Sequence, residues 1–238
     1  LVQKYSSYAI LSHAWLRESP GEVTYGDWQR GTLKTTTLGY QKLVNFCKTA
    51  WREHRITLGW MDTVCINKES SSELDESIRS MFDWYTRADV CIIHLNDTQI
   101  LPDIHSDRWF TRGWTLQELL APRWIKFCNQ NWEYFVPNAS VNDKSQTGEI
   151  MSQINKATSI TYRELISGVD DIPMSRRMQM AASRQVTREE DTAYSLMGIF
   201  NVSIATAYGE GATRAFSRLL VAILESTEEG VLDLLNWA

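Results

Sequence analysis

Apolar and polar positions follow two regimes along this chain. Up to about residue 136, apolar runs of strand length at 8 to 12, 58 to 62, 90 to 95 and 124 to 128 alternate with longer stretches of helical spacing. Tyr40, Leu43, Val44, Cys47 and Trp51 predict a helix over about 38 to 54, and Leu74, Ile78, Met81, Phe82 and Tyr85 predict another. The run 90 to 95 is apolar nearly throughout, as a parallel strand covered on both faces requires. A hairpin through 129 to 131 is expected to lead into a short strand over 132 to 135. Such alternation predicts an α/β fold, an open, mostly parallel sheet flanked by helices.

After a polar stretch over 137 to 148 only helical spacing remains, at about 149 to 158, 161 to 167, 175 to 184, 189 to 200 and 212 to 228. The expected division is therefore an α/β core over 1–136 and a C-terminal helical extension over 137–238. The extension should pack on the core, because Leu196, Met197, Phe200, Phe216, Leu219, Leu220 and Ile223 form apolar stripes that need cover.

Composition narrows the function classes. The net charge of −5 offers no bulk attraction to nucleic acid or acidic membranes, so no nucleic-acid partner is expected. No apolar run reaches the length of a membrane span, and no signal-peptide pattern opens the sequence. Cys47, Cys65, Cys91 and Cys128 lie far apart, with neither zinc-knuckle nor disulfide spacing. They read as buried free thiols of a reducing compartment, which points to a cytoplasmic protein without a metal site. Of the ten tryptophans several adjoin predicted strand ends, where core filling is the default reading.

Candidate chemistry centres on residues 109 to 122, read as one helix ending at Pro122. That helix sends Leu116, Leu119 and Leu120 to one face and Trp114, Glu118 and Ala121 to the other. Two readings of Glu118 stand side by side. Thr115-Leu116-Gln117-Glu118 fits a capping box, with Glu118 returning a hydrogen bond to the helix start; alternatively its carboxylate serves chemistry at the end of a sheet. Ser12, His13 and Trp15 follow the first predicted strand, and Asp62 closes the second. His94 reads as a satisfied core or edge histidine. The run from Arg184 to Asp191 is either a solvated helix start capped by Thr187, or places Arg184 or Arg188 against a phosphate-bearing ligand or the carboxylates of the sheet domain. Tyr208-Gly209-Glu210-Gly211 reads as a tight loop. Neither a P-loop nor a G-x-G-x-x-G fingerprint is present, which counts against a standard nucleotide fold.

Three stretches in order resemble the fungal heterokaryon-incompatibility (HET) domain. They are Tyr8-Ala9-Ile10-Leu11-Ser12-His13-Ala14-Trp15, Trp60-Met61-Asp62-Thr63-Val64-Cys65-Ile66-Asn67-Lys68, and Arg112-Gly113-Trp114-Thr115-Leu116-Gln117-Glu118-Leu119-Leu120-Ala121-Pro122. The segment from Arg188 to Phe200 and Tyr208-Gly209-Glu210-Gly211 resemble the ending of such proteins, so the likeness spans roughly 8 to 220. Leu16 and Lys68 depart from the usual Gly and Gln. The resemblance implies a cytoplasmic role in non-self recognition and regulated cell death, on a flavodoxin-like sheet related to Toll/interleukin-1 receptor (TIR) domains. Residues 114 to 119 are similar to the Trp-Cys-x-x-Glu-Leu stretch of NAD-cleaving TIR domains, with Thr115 in place of Cys.

That similarity implies an NAD glycohydrolase with NAD as substrate, no cofactor and Glu118 as the catalytic carboxylate. Ser12, His13 and Asp62 would shape the pocket, Trp114 or Trp15 would stack on a ring, and Arg112 and Arg188 would meet phosphate, although a salt bridge suits Arg112 equally. It further implies a homo-oligomer when active, under an upstream receptor or regulatory domain. The alternative is a non-enzymatic, self-associating signalling module in which Glu118 is only a cap.

Overall fold

Four parallel strands form the centre of the computed structural model, which describes residues 7–17, 20–145 and 148–226. They are β1 (Tyr8–His13), β2 (Leu58–Trp60), β3 (Val90–His94) and β4 (Ile125–Cys128), in the order β2-β1-β3-β4. β1 pairs with β3 through Ala9↔Val90 to His13↔His94, and β3 pairs with β4 through Cys91↔Ile125 to His94↔Cys128. The chain runs from β1 to β2 on one side and then crosses to β3 on the other. The carboxyl ends of β1 and β3 therefore flank the switch point where open α/β sheets bind ligands.

Period-two alternation sorts the strands between two cores. Ala9, Leu11, Val90 and Ile92 meet Leu43, Phe46 and Ala50 of α2 (Leu38–His54). Ile10, Cys91 and Ile93 meet Ile78, Met81 and Tyr85 of α4 (Ser71–Arg87) on the opposite face. Both helices start where the sequence supplies a cap: the Thr37 side chain accepts from Tyr40 N–H, and that of Ser70 from Glu73 N–H. The short helices α1 (Tyr25–Arg30) and α3 (Asp62–Cys65) follow β1 and β2. Asp62 thus opens a helical turn instead of closing the second strand.

The predicted helix over 109 to 122 is broken. A 3-10 turn, Arg108–Thr111, is separated from α5 (Thr115–Leu120) because the intervening backbone pairs elsewhere. Gly113 N–H donates to Gln185 O at 2.8 Å and Gln185 N–H to Thr111 O at 2.6 Å, so those groups are unavailable to a helix. The expected hairpin strand shrinks to one antiparallel bridge, Cys128↔Tyr134. Lys126 and Asp143, both fully buried and 2.7 Å apart, tie β4 to the turn Asp143–Ser145.

The helices after β4 are α6 (Glu149–Thr158), α7 (Tyr162–Ser167), α8 (Met174–Ala182), α9 (Asp191–Tyr194) and α10 (Ala212–Ser226). The helix expected over 189 to 200 stops at Tyr194, after which Leu196 N–H and Met197 N–H bond three residues back, to Ala193 O and Tyr194 O. Leu196, Met197, Phe200, Leu219 and Ile223 share one buried cluster with Ile10, Cys91 and Leu116.

Of the cysteines, Cys91 and Cys128 are buried free thiols as expected, whereas Cys47 and Cys65 are exposed. Cys47 lies on α2 beside Phe46 but outside its buried stripe. Trp109 is fully buried, yet Trp15, Trp28 and Trp51 are each more than 40% exposed, so core filling does not describe all the indoles. Among the described residues no helix is long and apolar enough to cross a membrane.

Candidate active site

Ser12, near the carboxyl end of β1, anchors the site from behind. Its hydroxyl donates to Glu118 Oε2 at 2.5 Å and accepts from Trp109 Nε1 at 2.8 Å, with no exposure to solvent. This geometry overturns the capping-box reading. The residue preceding α5, Trp114, is already helical and forms no side-chain cap, and Thr115 Oγ1 donates to Trp109 O at 2.6 Å, with Arg112 O 2.9 Å away. The carboxylate of Glu118 is aimed at Ser12, near the carboxyl end of the interior strand β1. Burial raises its pKa to about 7, the Ser12 hydrogen bond working against the shift, Asp62 adding to it, and His13 and Arg112 opposing it.

A cavity of about 230 Å³ opens over Glu118. His13, Trp15 and Asp62 line one side, Ile78, Met81 and Tyr85 another. The segment from Gln185 to Arg188, with Asp191 and Tyr208, supplies a third wall, so residues far apart in sequence close one cavity.

A charged chain supports the first wall. His13 Nε2 lies 3.0 Å from Asp62 Oδ1, and Nδ1 lies 3.5 Å from Glu22 Oε1. Lys42 Nζ donates to Glu22 Oε1 at 2.6 Å and to Ala14 O at 3.0 Å. Burial would raise the pKa of Glu22, but His13 and Lys42 outweigh it and lower it to about 2. Asp62 likewise resists burial and stays well below the usual carboxylate range, held by Lys68 and His13. Lys68 Nζ is 3.0 Å from Asp62 Oδ2 and 3.8 Å from the centre of the Trp15 ring, whose Nε1 donates to the same carboxylate at 3.2 Å. Trp15, 41% exposed, stands at the mouth with Arg112 Cζ 6.0 Å from its ring centre.

Opposite, Arg188 Cζ lies 4.2 Å from the centre of the Tyr208 ring, and the Tyr208 hydroxyl donates to Asp191 Oδ1 at 2.8 Å. Burial raises the pKa of Asp191, against the Trp114 and Tyr208 hydrogen bonds that favour its ionised form. Arg188 reaches the cavity, whereas Arg184 instead holds the start of α5, donating from Nη1 to Arg112 O and Thr115 Oγ1, each at 2.9 Å. Thr187 caps nothing, since α9 begins at Asp191 without a side-chain cap. The Gly209 and Gly211 N–H groups do meet an anion, the Glu190 carboxylate, at 2.7 and 3.2 Å.

All the predicted site residues except Ser12 line the cavity; Ser12 lies behind Glu118. Glu22, Lys42 and Tyr85 joined the site without a warning in local pattern, whereas Asp191 and Tyr208 lie in the mixed-charge run and the tight loop singled out above without being assigned to it. His94 departs from the expected satisfied histidine. Among the described residues neither ring nitrogen makes a hydrogen bond of normal geometry, and the face of the ring stacks on Trp132 at 4.1 Å.

The family model described as "Heterokaryon incompatibility protein (HET)" matches residues 8–102. Vegetative incompatibility protein HET-E-1 of Podospora anserina is 39% identical over 229 residues, an alignment covering 91% of this chain and 16% of that protein. The chain belongs to the heterokaryon-incompatibility family. It spans only that small share of the relative's length, and no solved structure matches it. Within this HET chain the model match contains Ser12, His13, Glu22, Lys42 and Asp62, while Glu118 and the wall from Gln185 to Tyr208 lie beyond it.

Proposed function

We propose that this HET domain hydrolyses NAD at its nicotinamide–ribose bond and thereby serves fungal non-self recognition and regulated cell death in the cytoplasm. The observation that carries this reading is the buried carboxylate of Glu118, held by Ser12 in a cavity whose two other carboxylates are already engaged, Asp62 by His13 and Lys68 and Asp191 by Tyr208. Glycosidases ordinarily use two carboxyl groups, one of them to protonate a poor leaving group. The nicotinamide of NAD leaves a cationic ring as a neutral molecule, so no acid is required. Water supplies the hydroxyl of ADP-ribose and releases a proton. Ionised Glu118 then binds ribose hydroxyls and stabilises the positive charge developing at the anomeric carbon.

A pKa near 7 leaves a substantial fraction of Glu118 ionised at neutral pH, and a cationic nicotinamide nearby increases it. The cavity is smaller than the roughly 300–1,000 Å³ typical of ligand pockets, which suits one half of a dinucleotide. Trp114 offers a stacking face, and Arg112, Arg188 and Lys68 offer charge for the diphosphate. The active form in this reading is a homo-oligomer, controlled by an upstream receptor or regulatory region.

The test is nicotinamide release from NAD by purified protein, free and tethered to force self-association, beside Glu118→Gln. Release lost in the variant supports the proposal. No release in any state, with both proteins folded, overturns it in favour of a non-enzymatic self-associating module.

A further inference from the structure

A second cavity, of about 530 Å³, opens at the same edge of the sheet and is bordered by Leu16 and Arg17 of the segment after β1. Its volume lies within the roughly 300–1,000 Å³ of ligand sites. His13 and His94 are register partners on adjacent strands, yet His13 lines the first cavity and His94 the second. His94 is 2% exposed, and among the described residues neither ring nitrogen makes a hydrogen bond of normal geometry, the nearby Gln130 backbone being the one polar group that favours its charged form by hydrogen bonding. A buried polar ring in that condition calls for a ligand or a water. Trp132, which stacks on it, adopts φ +65°, a costly conformation for a bulky residue.

The rest of the lining has a distinct chemistry. Gln41, Asn45, Gln130 and Asn131 bring carboxamides, each able to donate and accept toward the edge of a heterocyclic base. Arg17, Lys42 and Arg108 face a single carboxylate there, Asp97. Lys42 is already paired with Glu22, and Arg108 with Asp97 at 2.9 Å, so among the described residues of this lining Arg17 contributes the charge left over. Leu16, Leu38 and Trp132 supply apolar surface.

We propose that this second cavity binds a nucleoside monophosphate, with the base edge against His94 and the carboxamides and the phosphate toward Arg17 and Arg108. Burial lowers the pKa of His94 to about 3, so its ring is neutral at pH 7, with one nitrogen donating and the other accepting. That complement suits a base better than it suits a bare anion. The site is separate from the Glu118 cavity, and the proposal does not depend on NAD cleavage.

The test is calorimetric titration of the purified protein with AMP, GMP, CMP and UMP in turn, with inorganic phosphate and ribose as controls. Expected is saturable binding of at least one nucleotide, weakened tenfold or more by His94→Phe and by Asn131→Asp, and retained in Trp114→Ala. Asn131 is exposed, so its variant tests the site even where His94→Phe fails to fold. Binding of no nucleotide overturns the proposal, as does phosphate binding as tightly as the nucleotides. Binding lost in Trp114→Ala but kept in the folded second-cavity variants also overturns it, assigning the ligand to the first cavity.

Discussion

Ser12 and Glu118, 106 positions apart, share a 2.5 Å hydrogen bond in the interior, and Trp109 fixes the Ser12 hydroxyl from its other side at 2.8 Å. Donation to a carboxylate favours its ionised form. Ser12→Ala should therefore push the Glu118 pKa above about 7 and move the acid limb of nicotinamide release to higher pH. A pH–rate profile of the two proteins checks this; coincident limbs would show that Ser12 does not tune the carboxylate.

Glu118 should also cost stability. Its folded-state pKa of about 7 exceeds the ordinary 4.5, so the folded chain holds the proton more tightly across that window. Stability then falls as pH rises from 4.5 through 7. The full shift corresponds to about 3 kcal/mol. Glu118→Gln should gain up to about that amount at pH 8 and progressively less toward pH 5, as urea unfolding at both pH values would reveal. An equal effect at both would refute the linkage.

Gly113 sits where the 185–186 segment crosses α5's approach. A Cβ there would meet Val186 Cγ1 at 2.5 Å, so Gly113→Ala should cost about 1–3 kcal/mol and disturb the cavity wall. In Gly26→Ala the near contact, 2.9 Å, is only the flexible end of Arg30, so that change should stay within about 0.5 kcal/mol. Thermal unfolding of the pair separates packing at Gly113 from a general effect of replacing glycine.

Lys126 and Asp143 form an ion pair with neither side chain exposed. Lys126→Met alone leaves a buried carboxylate without its cation and should cost about 3–5 kcal/mol. Adding Asp143→Leu should recover part of the loss and leave Phe127 N–H without the acceptor it has at 2.8 Å. A double-mutant cycle in denaturant measures the coupling; additive losses would contradict it.

Local pattern by itself determined the α/β class, the placement of α2 and α4, and the strand-end positions of Ser12 and His13. Apolar spacing reports which side of an element is buried, and that requires only neighbours within a few turns. Spacing also implied one helix over 109 to 122, and there tertiary pairing prevailed, because Thr111 and Gly113 exchange backbone hydrogen bonds with Gln185. The direction of Glu118 belongs to the same class of fact. Thr115 and Glu118 have capping-box spacing, yet their side chains bond Trp109, Arg112 and Ser12 instead. Glu22, Lys42, Asp191 and Tyr208 entered the charged and aromatic walls for the same reason. Sequence spacing determined which elements form; only chain closure brought polar groups from distant segments within hydrogen-bonding distance, and that step decided the chemistry of both cavities.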